Sequence, residues 1–319
     1  MSGYDVIVIG EIMIELYCEE ELVDGARLRL GFSGDALNAA AAAAAAGANT
    51  AVLTAVGTDE TGDAIIRRVT ELGIDPALIR RESRSNGAYL VHGDLTGHRQ
   101  FSYWRNGSAA STLDSADLPP FADVGAVVLS GITAALSDTA ERAVLAAAEA
   151  ADRAGTAVIY DPNYRPRLTT AARAREILAA VAPRCALMTP SCPGDSVPLL
   201  AAADPEPAAA AALAYGARSV AVTAGAAEVL VADATGRFRL PVPVNPDAVD
   251  ATGAGDVFTG TTAARLALGD PLREAVRLGI GAAALSVTGR GGTGHIPTLA
   301  HTRAAAPPRQ AGPSGAVQG

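Results

Sequence analysis

The stretch Asp250-Ala251-Thr252-Gly253-Ala254-Gly255-Asp256 leads directly into an apolar run, 254–268, of helical composition. Two Gly and an Ala let the backbone turn sharply into that helix. The N–H groups of Gly253, Ala254 and Gly255 then converge at a helix N-terminus, a ready anion site. A carboxylate in that first turn, Asp256, can take a proton from a hydroxyl. The plainer reading is a Gly-rich strand-to-helix turn with Asp256 as a capping acid. A second stretch, Ser33-Gly34-Asp35-Ala36-Leu37-Asn38-Ala39-Ala40, is followed by six residues to Gly47 and nine more to Gly57. Asn38 is polar inside an otherwise Ala-rich helix, with Ser33 and Asp35 at its start. Such groups can bind a polyol, or they can cap the helix and leave Asn38 on a wet face.

Working outward, Tyr4–Gly10 reads as a buried strand ended by Gly, and Ile12–Tyr17 as a second strand. Ala36–Ala46 predicts a helix stopped at Gly47. Thr50–Val56 predicts a buried strand, and Asp59 caps a helix through Leu72 that Gly73 ends. Residues 84–105 differ: Ala88–His92 and Arg99–Trp104 flank a Gly-containing turn and predict a half-exposed hairpin. Beyond it, strands at 126–129, 158–160, 186–188 and 220–222 alternate with helices at 137–154, 169–181 and 207–215. A hairpin at 229–242 and helices near 254–268 and 271–288 follow. This alternation implies a mostly parallel sheet with helices on both faces, interrupted by a small lid. Residues 301–319, rich in Ala, Pro and Gly, predict a disordered tail.

The 319 residues carry 25 basic and 34 acidic side chains, a formal net charge of -9. Every basic residue is Arg, so a Walker-A loop and Schiff-base or pyridoxal chemistry are excluded. The acidic balance argues against nucleic-acid binding. Cys18, Cys185 and Cys192 offer no disulfide framework or metal pair. His92, His98, His295 and His301 show no metal-ligand spacing. No signal peptide is visible, because Asp5 and Glu11 interrupt the apolar N-terminal stretch. The Ala36–Val56 run is too weakly apolar to cross a membrane. A cytoplasmic setting, with no membrane partner, is expected.

Together the two stretches resemble the paired signatures of the PfkB, or ribokinase-like, carbohydrate kinases. Asn38, Ala40, Gly47 and Gly57 fit the first signature; Asp250, Gly253, Ala254, Gly255 and Asp256 fit the second. Ala251 and Thr261-Thr262 depart from the usual residues. The resemblance spans about 4–298. It implies a three-layer α/β/α sandwich over 1–300 with a small β lid from about 11–34 and 84–110. Within the family, Met13–Leu16, Phe101–Asn106, Leu129–Ile132 and Asp161–Leu168 are similar to the 2-keto-3-deoxygluconate kinases.

That resemblance implies ATP and Mg2+ as cofactors and phosphorylation of the terminal hydroxyl of a sugar acid. Asp256 is then the base, and the N–H groups of Gly253, Ala254 and Gly255 stabilise the transferring phosphoryl group. Gly34, Asp35, Asn38, Tyr89, Tyr103, Arg105, Asn163 and Arg165 form the substrate site, and Thr223, Gly225, Thr252, Gly253 and Gly255 the nucleotide site. Guanidinium groups bind carboxylates bidentately, which gives Arg105 and Arg165 their role. Arg105 can instead be a surface charge, Arg165 can pair with Asp161, and the tyrosines can simply pack. No metal ligand is assigned. Where relatives carry a Glu after the strand ending near Met188, this chain reads Thr189-Pro190-Ser191-Cys192-Pro193-Gly194-Asp195. Thr223-Ala224-Gly225 lacks a basic residue found in some relatives, and Gly292-Thr293 stand where an acidic ligand can occur. A fructokinase, ribokinase or nucleoside kinase, or a non-catalytic binding relative, stays open. Unpaired lid edges favour a homo-oligomer, a dimer or larger.

Overall fold

The computed structural model describes residues 3–93 and 99–309. The strands are β1 (Val6–Ile9), β2 (Met13–Cys18), β3 (Arg29–Ser33), β4 (Thr50–Gly57), β5 (Ile79–Glu82), β6 (Gly87–Gly93) and β7 (Arg99–Trp104). They continue as β8 (Ala126–Ser130), β9 (Ala157–Asp161), β10 (Cys185–Met188), β11 (Ser219–Thr223), β12 (Glu228–Asp233) and β13 (Gly236–Pro241). The helices are α1 (Asp35–Ala45), α2 (Glu60–Glu71), α3 (Gly131–Ala134), α4 (Asp138–Ala154) and α5 (Ala171–Val181). The rest are α6 (Ser196–Leu200), α7 (Pro205–Ala214), α8 (Ala254–Ala267), α9 (Leu272–Ser286) and α10 (Leu299–Ala305).

Nine strands form one sheet in the order β13-β12-β11-β10-β9-β8-β1-β4-β5. It is parallel from β11 through β5, and β12 and β13 are antiparallel. β1 lies centrally: the chain leaves it toward β4 and β5, then returns on its other side through β8 and β9. That reversal opens a crevice at the strand carboxyl ends, where ligands of open α/β sheets bind. The second sheet, β3-β2-β6-β7, is the lid, with β2 parallel to β6 and antiparallel pairs outside them.

The Ala-rich run is a close-packing device. Residues 36–43 of α1 are buried against the sheet and α8. A Cβ at Gly260 of α8 would overlap the Ala39 carbonyl, so only Gly there and small residues on α1 allow this approach. Two apolar layers sandwich the sheet, one including α4, α5 and α7, the other α1, α8 and α9.

The expected elements are observed, β3 and α3 add to them, and further differences are informative. β5 is a short edge strand, Ile-Arg-Arg-Glu, too polar to read as one. α6 follows the 189–195 loop. Most informative, the tail expected from 301 is ordered at its start: Thr298 caps α10, which packs at Gly281 of α9, and buried Arg277 donates to the Pro307 carbonyl at 2.9 Å. Residues 310–319, like the hairpin tip at 94–98, lie outside the described residues.

Candidate active site

Asp256 sits in the first turn of α8. Gly253, the residue before the helix, has φ +78°, and a Cβ there would press on Asn38 and Gly292. Gly255 faces open space, with no atom within 4 Å of a Cβ position. The Asp256 carboxylate accepts from two amides, Asn38 Nδ2 at 2.9 Å and Asn163 Nδ2 at 3.2 Å. Ser33 Oγ donates to Asn38 Oδ1 at 3.2 Å, which fixes that amide with its nitrogen toward Asp256. Asn163 reaches in from a left-handed backbone, φ +41°, a conformation Asn tolerates. Burial and the negative Asp35 raise the Asp256 pKa to about 7, against the opposing pull of Asn38, Arg165 and Asn163. A base near neutral pH is suited to deprotonating a hydroxyl.

The anion cradle departs from the expected three donors. Ala254 N–H closes the turn onto the Ala251 carbonyl at 3.2 Å, and Thr252 N–H donates to Asp250 Oδ1 at 2.8 Å. Among the described residues, no acceptor takes the N–H of Gly253, Gly255 or Asp256. These are orphan donors of a helix start.

Asp35 opens α1 and lies against Ile9, Ser130, Asp161, Asn163 and Asp256 in one narrow pocket. Burial raises its pKa, opposed by Ser130 and Arg105. Gly34, φ +121°, lets the chain pass the Glu11 backbone where a Cβ would overlap. Asp161 ends β9. Its carboxyl is held well above the ordinary range by burial and by Asp195 and Asp256.

The lid places Tyr89 opposite Tyr103, with ring centroids 5.7 Å apart. Tyr89 is buried beside Glu15 and Ser33, while Tyr103 stays largely exposed and stacks on Phe101. Arg105 is not the surface charge it could have been. It is 9% exposed and forms an ion pair with Glu11, Nη2 to Oε2 at 2.5 Å. Arg165 does not pair with Asp161. It is exposed, donates to the Tyr164 carbonyl at 3.0 Å, and lines both the Asp256 cleft and the lid mouth.

Beside Gly255 lies an apolar cleft of about 500 Å³ that includes Thr223, Gly225, Val242, Ala248, Phe258 and Ala284. It adjoins a polar cleft of about 470 Å³ that holds Thr252, Gly253, Asp256 and Arg165. Asp195 does not stand free as a substitute for the missing Glu. Its Oδ1 accepts from Tyr164 N at 2.7 Å, and its Oδ2 from Ser191 N and Oγ at 2.8 and 2.5 Å. Among the described residues, no group of three or more His, Cys, Asp or Glu could hold a metal alone.

Sequence reasoning missed four features. Glu11 was noted only as a charge breaking an apolar run. Glu15 was noted only as part of a similar stretch, yet it lies beside Tyr89 and accepts from Gly292 N at 3.3 Å. Asp161 enters the sequence reading only within the similar stretch Asp161–Leu168 and as a partner for Arg165. Gly292 lies so close to Ser33 and Asn38 that any Cβ would overlap them.

A lidded, mostly parallel α/β sandwich with an aspartate at a glycine-rich helix start is the ribokinase-like architecture. The chain belongs to the pfkB family of carbohydrate kinases, whose profile matches residues 4–299. It is 37% identical over 179 residues to the 2-dehydro-3-deoxygluconokinase of Dickeya dadantii, covering 53% of this chain and 56% of that protein. The alignment thus spans little more than half of that relative. The 2-dehydro-3-deoxygluconokinase of Thermoproteus tenax is 32% identical over 274 residues, 83% of this chain and 82% of its own. A ribokinase-type protein from E. coli, solved with ATP and Mg2+, superposes with a TM-score of 0.84 at 25% identity, covering 95% and 98% of the two chains. Among the described residues no helix is long and apolar enough to cross a membrane.

Proposed function

We propose that the protein transfers the γ-phosphoryl group of ATP to the terminal hydroxyl of a sugar acid, 2-keto-3-deoxygluconate, giving the 6-phosphate. The observation that carries this reading is Asp256. It is held by Asn38 and Asn163 between the apolar cleft and the lid, with unpartnered N–H groups beside it. Asp256 takes the proton of the sugar hydroxyl. The N–H groups of Gly253 and Gly255 receive the charge of the transferring phosphoryl group. The apolar walls of the cleft, with Phe258 and Ala284, suit a nucleobase, and the lid aromatics exclude water as a competing acceptor.

Mg2+ takes oxygen ligands through one or two carboxylates and substrate phosphates. Asp161 fits that demand, since Asn163 N–H at 3.0 Å engages only its Oδ1; Asp195, with both oxygens engaged, does not. Bound Mg2+ would supply charge neutralisation to the phosphate oxygens. The Glu11–Arg105 pair favours a second reading, a neutral sugar, because it partly satisfies the cation meant for a carboxylate. The two outer lid strands leave open edges, and Leu30 on β3 is exposed, which supports pairing of two copies of the chain. Light scattering on the purified chain tests that assembly.

The test of function is Mg2+-dependent ATP turnover with 2-keto-3-deoxygluconate, gluconate, fructose, ribose and adenosine. Selective turnover of the keto-acid is the expected result. Turnover of a neutral sugar or nucleoside alone overturns the sugar-acid assignment but keeps Asp256. ATP binding with no turnover of any acceptor points to a non-catalytic relative.

A further inference from the structure

The loop after α9, Arg290-Gly291-Gly292-Thr293, belongs to the core by sequence yet touches the lid at every residue. Arg290 pairs with Glu19, just past β2, and lies over the Tyr17 ring, 5.8 Å from its centroid. A Cβ at Gly291 would fall 2.4 Å from Glu15 Oε2, and Gly292 N–H donates to that same oxygen at 3.3 Å. Thr293 Oγ1 donates to the Phe32 carbonyl of β3 at 2.8 Å. From the core side, Asp250 Oδ2 takes the Gly291 N–H at 2.8 Å, and Arg68 Nη2 of α2 reaches the Thr293 carbonyl at 3.4 Å. The loop also bears on the residues that hold Asp256. Gly292 passes so near α1 that a Cβ would lie 2.1 Å from Ser33 Oγ and 2.4 Å from Asn38 Oδ1. A Cβ at Gly253 would lie 2.9 Å from Asn38 Nδ2 and 3.1 Å from the Gly292 Cα. The Asn38 amide, which donates to Asp256, is thus walled by two glycine backbones. Glu15 stands opposite Tyr89 on β2 and is 5% exposed.

We propose that Glu15 is a positioning residue for Asp256: from the lid it holds the loop 290–293 so that Gly292 keeps the Asn38 amide aimed at the base. This rests on the reading of Asp256 as the base, and not on which sugar is the acceptor. The physical case is one of backbone freedom. Two consecutive glycines give the loop more conformations than any other residue pair would. Asp250 holds Gly291, while Phe32 and Arg68 hold Thr293; between them the Gly292 N–H has Glu15 as its acceptor. An Asn side chain turns softly about its last torsion, so the amide plane follows the wall beside it. Turning that plane bends the bond to Asp256, and a misplacement of about 1 Å can cost about 10²-fold in rate. Asn163 still donates to the other Asp256 oxygen, so the loss is partial.

The experiment compares Glu15→Ala, Glu15→Gln, Asn38→Ala and the Glu15→Ala/Asn38→Ala double variant in the full chain. KM and kcat are measured with ATP and whichever acceptor of the panel above wild type turns over, and ATP-induced thermal stabilisation reports folding. Glu15→Ala should lower kcat about tenfold or more, with acceptor and ATP KM within about threefold. Glu15→Gln keeps a carbonyl oxygen for the Gly292 N–H and should hold kcat within about threefold of wild type. On top of Asn38→Ala, Glu15→Ala should lower kcat no further, because both act through one amide. Wild-type kcat in Glu15→Ala, equal losses in the Ala and Gln variants, or an additive double variant overturns the proposal. So does a raised acceptor KM at unchanged kcat, which would make Glu15 a sugar ligand. If Glu15→Ala loses ATP-induced stabilisation, Thr293→Val decides, since it removes the donor to Phe32 and keeps the shape. A kcat loss of about threefold or more at constant acceptor KM then supports the proposal; wild-type kcat, or a second unfolded variant, overturns it. Near-normal turnover in Asp256→Asn, or no acceptor turned over by wild type, overturns the base reading and the proposal with it. An inactive Asp256→Asn beside a fully active Glu15→Ala sinks the positioning role alone, which separates the two failures.

Discussion

Replacing Asp256 with Asn should move activity and stability in opposite directions. As the proposed base, Asp256 should contribute roughly 10²–10⁴-fold to kcat, the usual range for a positioned proton acceptor. The amide keeps the shape and leaves an oxygen for Asn38 or Asn163, so the loss is one of proton affinity. The same carboxylate is held at about 7 against an ordinary 3.8, chiefly by burial and then by Asp35. A group whose folded pKa is raised contributes stability that is complete below the unfolded value. That stability is lost as pH rises through the folded value. The ionised carboxylate thus costs the ligand-free fold up to about 4 kcal/mol at pH 8, taking about 1.36 kcal/mol per pKa unit across that gap.

Thermal melts of wild type and Asp256→Asn at pH 5, 7 and 8, beside kcat at pH 8, measure both effects. The variant should melt higher at pH 8, and the gap should narrow as pH falls toward 4. Wild-type kcat/KM should drop about tenfold from its plateau by pH 6, one unit below the Asp256 value. A variant with near-normal turnover, or one no more stable than wild type at pH 8, refutes the assignment of a desolvated base.

Gly255→Ala places a methyl where nothing lies within 4 Å, so its melting point should hold. Its kcat/KM should nonetheless fall about 10²-fold or more, the effect of spoiling one oxyanion donor. Ala284→Phe, filling the apolar cleft, should raise KM for ATP and leave sugar KM within about threefold; a raised sugar KM instead would show that the clefts are misassigned. Truncation after Thr298 removes α10 and the Pro307 carbonyl that Arg277 uses, and should lower the melting point by several degrees. An unchanged melt would show α10 to be dispensable.

What could be read from the chain followed the range of the interactions. The α8 start and the Asn38 helix were legible because each is a local pattern of small, polar and acidic residues. Their meeting was visible only as a resemblance, since nothing local to Asn38 points to Asp256. The burial of Arg105 was hidden for the same reason. An Arg on a half-exposed hairpin reads as solvated, and its partner Glu11 belongs to a different sheet connection. The start of the expected tail, 301–305, is helical instead because composition carries little signal for a seven-residue helix. α10 exists through packing on α9, not through propensity. Asp195 shows how local bonding occupies a carboxylate: its oxygens staple the 189–195 loop to Tyr164.

The missing lysines explain how charge is arranged around this site. Asp35, Asp161 and Asp256 converge there, with Asp195 close by, and the cations present are Arg105, under the lid, and the exposed Arg165. No guanidinium contacts Asp256 directly, and so its affinity for a proton stays high. A lysine on the nucleotide side would have drawn the base toward the ordinary carboxylate range by its positive charge. Backbone N–H groups at the start of α8 can receive phosphate charge while adding only partial positive charge near Asp256. The glycine-rich turn therefore serves two needs at once. On the proposed reading it receives the phosphate anion without a full cation that would weaken Asp256, the residue after Gly255.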